Sequence, residues 1–88
     1  MLTAHQGTIE EILEAYIRDE CLPRNNGVSL DREMNLFDAG IVDSAGLITF
    51  IGFMEREFGL TIPDEDLLPR NFVSVSAIAE YIRRRQRE

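Results

Sequence analysis

At 88 residues the chain has room for one domain with a modest core, which leaves little space for a deep, enclosed active site. Four of its nine Arg lie in the last six residues, so residues 1–82 hold five Arg against fifteen Asp and Glu, a net of −10 within an overall −7. Such a body repels nucleic acid phosphates and attracts basic protein surfaces; the single Cys excludes an internal disulfide, and no apolar run nears the roughly 20 residues of a membrane span. The N-terminal residues show neither the basic nor the apolar run of a signal peptide. A cytoplasmic protein is the expectation.

In chain order, Thr8 and Glu11 form a capping-box pattern, and Ile9, Ile12, Leu13, Tyr16 and Ile17 follow as one apolar stripe. A first helix is expected over about 8–20, stopped by Pro23 and the Asn25-Asn26-Gly27 cluster. Residues 21–43 lack periodicity but hold four apolar anchors, Leu30, Met34, Leu36 and Phe37, with a short helical turn expected at Asp31–Met34. Ser44 is a good N-cap for a second helix, 44–58, whose stripe is Leu47, Phe50, Ile51, Met54 and Phe58, ended by Gly59. A short third helix over 64–68 follows Pro63 and is ended by Pro69. Ser74 caps a fourth, 75–86, with Val75, Ile78, Ala79 and Ile82 inward and the Arg83–Arg87 cluster at its negative end. The expected fold is all-α: a small four-helix bundle with a long first loop and a short third helix.

Catalytic sets are absent from this pattern. His5 and Cys21 lie on either side of a helix of roughly 20 Å, too far apart for a dyad. One His and one Cys also fall short of a metal site, and no glycine-rich phosphate loop is present.

The distinctive segment is Leu36-Phe37-Asp38-Ala39-Gly40-Ile41-Val42-Asp43-Ser44. With Phe58-Gly59 and Ile62-Pro63-Asp64-Glu65 downstream, it resembles the attachment region of the acyl carrier protein family, although both Ile41 and Val42 stand between the Gly and the Asp-Ser pair. The resemblance spans about residues 8–83 and implies one carrier domain over 1–88, usually monomeric. It implies that a phosphopantetheinyl transferase moves the phosphopantetheine of coenzyme A onto Ser44, that Asp43 helps orient that transferase, and that the arm's thiol carries acyl groups as thioesters. The carrier itself makes and breaks no substrate bond. Its further partners would be acyl- or aminoacyl-activating ligases and acyl-transfer enzymes. Alternatives are an aminoacyl or peptidyl carrier and an unmodified helical interaction module.

The chain departs from the family on the outer face of helix 2. Ala45 replaces a large apolar residue and Gly46 a polar one, and Ala45, Ile48, Thr49 and Gly52 carry no charge, acids returning only at Glu55 and Glu57. A partner face over Ala45, Ile48, Thr49, Gly52 and Glu55 is expected to make close apolar contacts, as in a specialised lipid, polyketide or secondary-metabolite pathway. Phe50, Met54, Ile62 and Leu68 are candidate walls for an acyl chain and ordinary core residues as well. The Arg83–Arg87 cluster is explained by the helix dipole and solubility.

Overall fold

The structure is a computed structural model that describes residues 7–22 and 29–88. Its elements are α1 (Ile9–Tyr16), continued by a π-helical turn (Ile17–Cys21), α2 (Ser44–Phe58), a 3-10 turn (Asp64–Asp66), α3 (Pro69–Phe72) and α4 (Val75–Arg87). The fold is an all-α bundle; the described residues contain no strand, and no helix among them is long and apolar enough to cross a membrane. His5, Pro23 and Asn25-Asn26-Gly27 lie outside the described residues.

The apolar stripes meet where their spacing places them. Leu13 and Ile17, Phe50 and Met54, and Val75, Ile78 and Ile82 are fully buried together with Leu36 and Phe72. Tyr16 stacks on Phe50 and Phe53 with ring centroids 4.7 and 4.3 Å away, which fastens α1 to α2. The capping box at α1 forms as expected: Glu11 N–H donates to Thr8 Oγ1 (3.1 Å) and Thr8 N–H to Glu11 Oε1 (2.8 Å). The Ser74 cap of α4 also forms, accepting from Ala77 N–H at 3.1 Å.

Three local expectations need correction. Asp43, not Ser44, is the N-cap of α2: its backbone is extended (φ −110°, ψ −174°) and its Oδ1 accepts from Gly46 N–H at 2.7 Å. Pro69 begins a helix instead of ending one; the 64–68 segment is a 3-10 turn, and Pro69 stands at the first position of α3, where its missing N–H costs nothing. The first helix keeps α geometry only to Tyr16, and Leu22 N–H closes the π turn onto Ile17 O at 3.0 Å.

From residue 31 onward the long connection is shaped by two devices. Its 31–34 stretch is one tight turn, Met34 N–H reaching Asp31 O at 3.2 Å. Residues 35–41 then form a single capped helical turn. Asn35 Oδ1 accepts from the N–H groups of Phe37 and Asp38. Gly40, at φ +74°, closes the other end: its N–H bonds Phe37 O, and Ile41 N–H bonds Leu36 O. Long-range bonds pin this loop to the start of α4, since Leu36 N–H donates to Val73 O (2.7 Å) and Ser76 N–H to Arg32 O (3.0 Å). Arg32 also forks onto Glu14 of α1 at 2.9 and 3.2 Å.

Candidate functional site

The capped turn 35–41 delivers the chain to α2 with Val42 buried and Asp43 and Ser44 exposed. Ser44 is the first helical residue. Among the described residues no group, Asp38 and Asp43 included, hydrogen-bonds its hydroxyl. The oxygen that caps the helix belongs to Asp43, so the Ser44 hydroxyl is left for other chemistry. As the first two residues of α2, Ser44 and Ala45 present N–H groups without intrahelical acceptors at the positive end of the helix dipole.

Gly46 gains a physical reason here. A Cβ at that position would lie 3.1 Å from Asp43 Oδ1, so the residue that lowers helix propensity also lets the cap sit close.

Ser44 lies on the edge of a groove of about 490 Å³, lined by Phe37 and Asp38 of the capped turn, Leu47 of α2, and Leu67, Pro69 and Val73. None of the expected chain-binding residues lines it. Phe50 and Met54 are fully buried, Ile62 is buried and Leu68 half-buried. The space beside Ser44 lies between the capped turn and the wall that leads into α3.

That wall is held by Asp66, which sequence reasoning did not single out. Tyr81 Oη donates to Asp66 Oδ2 at 2.7 Å, Arg85 stands 3.7 Å from the same oxygen, and Asn71 Nδ2 donates to Asp66 O at 2.8 Å. Burial and the Asp66 bond push the Tyr81 hydroxyl up to about 12, so it remains a donor throughout the physiological range. Asn35 was missed in the same way, although Asn with Gly five residues later is a readable turn signal.

The expected partner face divides. Ala45, Ile48 and Thr49 are exposed, Ile48 to 73%, and Gly52 is partly covered by the Arg56 side chain. Glu55 is half-buried and its Oε2 accepts from Ile62 N–H at 2.8 Å, so its first task is to hold the turn after α2. The Arg cluster is engaged within the chain: Arg83 forks onto Glu10 at 2.8 and 2.7 Å, and Arg85 donates to Thr61 O at 2.8 Å. Cys21 is half-buried. Burial, with Glu20 and Asp43 nearby, raises its thiol above the ordinary value, which keeps it protonated and a poor nucleophile. His5, already too distant along the sequence for a dyad with Cys21, lies outside the described residues.

Residues 19–82 match the family model described as "Phosphopantetheine attachment site". The chain belongs to that family. The prosthetic group of such an attachment domain is 4'-phosphopantetheine, and the residues here fit it. An exposed, unengaged hydroxyl offers the ester oxygen, the first-turn N–H groups suit a phosphodiester, and the adjoining groove is mostly apolar. The match covers both the Asp43-Ser44 pair and the Asp66 wall.

The protein named "Probable acyl carrier protein PigG" of Serratia sp. (strain ATCC 39006) is 31% identical over 55 residues, covering 62% of this chain and 63% of that protein. The chain thus spans under two thirds of the length of this curated relative. A solved chain described as "Crystal structure of FAD-dependent dehydrogenase" superposes with a TM-score of 0.70 at 24% identity, over 80% of this chain and 97% of that one. At that identity the likeness speaks for the fold alone.

Proposed function

We propose that this chain is an acyl carrier protein, a single domain over 1–88, whose Ser44 bears the 4'-phosphopantetheine arm. The observation that carries this reading is the Ser44 hydroxyl: exposed at the first turn of α2, spared from capping by Asp43, and free of any bond within the described chain. A serine without a base is a weak nucleophile, so the activating group belongs to the partner. A phosphopantetheinyl transferase takes the hydroxyl proton. The Ser44 Oγ–phosphorus bond forms as the pyrophosphate bond of coenzyme A breaks and the nucleotide portion leaves. Asp43 orients the transferase. Bound there, the arm offers a terminal thiol that holds acyl groups as thioesters and brings them to each docked enzyme at raised effective concentration.

The chain itself supplies position and tether, not bond chemistry, and it works as a cytoplasmic monomer. Ala45, Ile48, Thr49 and Gly52 form an apolar partner face for ligases and acyl-transfer enzymes, bordered by Glu55. The uncharged face favours a specialised lipid, polyketide or secondary-metabolite pathway, and the carrier role is in keeping with the words "acyl carrier protein" in the name of PigG.

Incubation with coenzyme A and a broad-specificity transferase tests the reading. The intact mass should rise by one phosphopantetheine, and Ser44→Ala should abolish the rise. An unmodified wild-type chain would return it to the class of helical interaction modules. Ile48→Glu separately tests the partner face: loading by a cognate ligase should fall, and unchanged loading would remove that face.

A further inference from the structure

A second groove, of about 610 Å³, runs between α1 with its π turn and α2, on the side of α2 away from the Asp66 wall. Its floor is aromatic: Tyr16 and Phe53 stack at 4.3 Å with an interplanar angle of 26°, and both are only half-buried. Its rim carries three carboxylates, Glu11, Asp19 and Glu20, and one cation, Arg56. Glu11 is spent on its capping box. Asp19 and Glu20 are exposed on the π turn, and among the described residues neither makes an ion pair or hydrogen bond. They contrast with Glu10, Glu14 and Asp66, each committed to an Arg.

Thr49 Oγ1 donates to Ala45 O at 3.4 Å, so the wall of the groove begins within two helical turns of Ser44. Thr49, on the exposed face of α2, lines the groove and joins it to Ile48 and Ala45. An enzyme that reaches Ser44 along α2 therefore passes over this groove. The acidic charge missing from α2 stands on the opposite rim.

We propose that the groove between α1 and α2 is a docking surface for the enzymes that act on Ser44, filled by a basic side chain of the partner. The alkyl stem of that side chain packs along Tyr16 and Phe53 and its cation faces Asp19 and Glu20. Aromatic surface covers the stem of a long basic side chain, and carboxylates at the rim supply the longer-range pull that steers encounter. Arg56 marks the rim where the partner carries no basic group. The inference rests on the carrier reading and adds the location and chemistry of docking.

The test uses the full chain, a broad-specificity phosphopantetheinyl transferase and coenzyme A, with steady-state loading measured against carrier concentration. Asp19→Asn with Glu20→Gln should lower kcat/KM about tenfold through KM, leave kcat in place and flatten the dependence on ionic strength. Ala15→Trp, at an exposed α1 position on the groove wall, should raise KM by blocking the floor while melting like wild type. Asp64→Asn with Glu65→Gln removes the same charge from the 3-10 turn, outside the groove, and should have little effect. Equal losses in the two double variants would reduce the effect to net charge and overturn the site. So would wild-type kinetics in both the Asp19/Glu20 and Ala15 variants. A wild-type chain that gains no arm at all would instead remove the carrier reading, and this one with it.

Discussion

The two ends of α2 are built in opposite ways. At its C-terminal end Gly59 turns left-handed (φ +66°), Glu55 reaches forward to Ile62 N–H, and Arg85 comes across from α4 to Thr61 O. The Glu10–Arg83 fork adds a tie between the start of α1 and the last turns of α4. At its N-terminal end a single side-chain bond, Asp43 to Gly46 N–H, does the capping, and the next residue is exposed with its hydroxyl unengaged. The ties to the rest of the bundle are concentrated at the C-terminal end. The N-terminal end is capped by the Asp43 side chain, which leaves the Ser44 hydroxyl exposed and unengaged.

Substitutions along α2 should therefore trace a gradient. Glu55→Ala should cost about 1.5–3 kcal/mol, because Ile62 N–H loses a charged acceptor at a half-buried site; urea denaturation measures it. A loss below about 0.5 kcal/mol would break the contrast between the ends.

The Glu10–Arg83 fork gives a pH signature. The Arg83 guanidinium, bonded to Glu10, holds its carboxyl down at about 2, from an ordinary 4.5. A carboxyl depressed by folding stabilises above its unfolded value, and that contribution fades as pH falls from about 4.5 toward 2. Glu10→Gln should thus cost about 1–1.5 kcal/mol at pH 7, discounted for screening at the partly exposed Arg83. The gap between variant and wild type should close as pH approaches 2. A gap that persists there would show that the pair acts through packing.

At the open end the expected effects shrink. Asp43→Ala should cost about 1 kcal/mol through the lost cap, while Asp43→Asn keeps an acceptor oxygen and should stay within about 0.5 kcal/mol of wild type. If the Asp43→Asn variant nevertheless loads poorly, transferase recognition and capping are separate tasks of one side chain. Ser44→Ala should be the smallest stability change, within about 0.5 kcal/mol by thermal melting, because its hydroxyl has no partner to lose among the described residues. A larger loss would mean the hydroxyl supports the fold.

Legibility in the sequence followed the range of the interactions. The stripes that bury Leu13, Phe50, Met54, Ile78 and Ile82 repeat every three to four residues and place the helices by themselves. The Thr8 and Ser74 caps were readable for the same reason. Capping at α2 was not, because Asp43 and Ser44 are both good caps and the choice depends on which of them is extended as the chain leaves the buried Val42. Pro69 was equally ambiguous, since proline suits both the stop of one helix and the start of the next. The groove beside Ser44 could not be read either, because its walls come from the capped turn, α2 and the segment leading into α3, which no local pattern brings together.

The sequence alone determined the all-helical class, the positions of the main helices and the segment that offers a serine at a helix start. These are set by bonds and side-chain periods spanning a few residues, which the chain cannot avoid once its order is given. Tertiary structure alone decided that Glu10 meets Arg83 from 73 residues away, that Asp66 gathers Tyr81 and Arg85, and that the π turn brings Asp19 and Glu20 over an aromatic floor. Those pairings depend on how the packed helices orient one another, and no local pattern encodes that geometry.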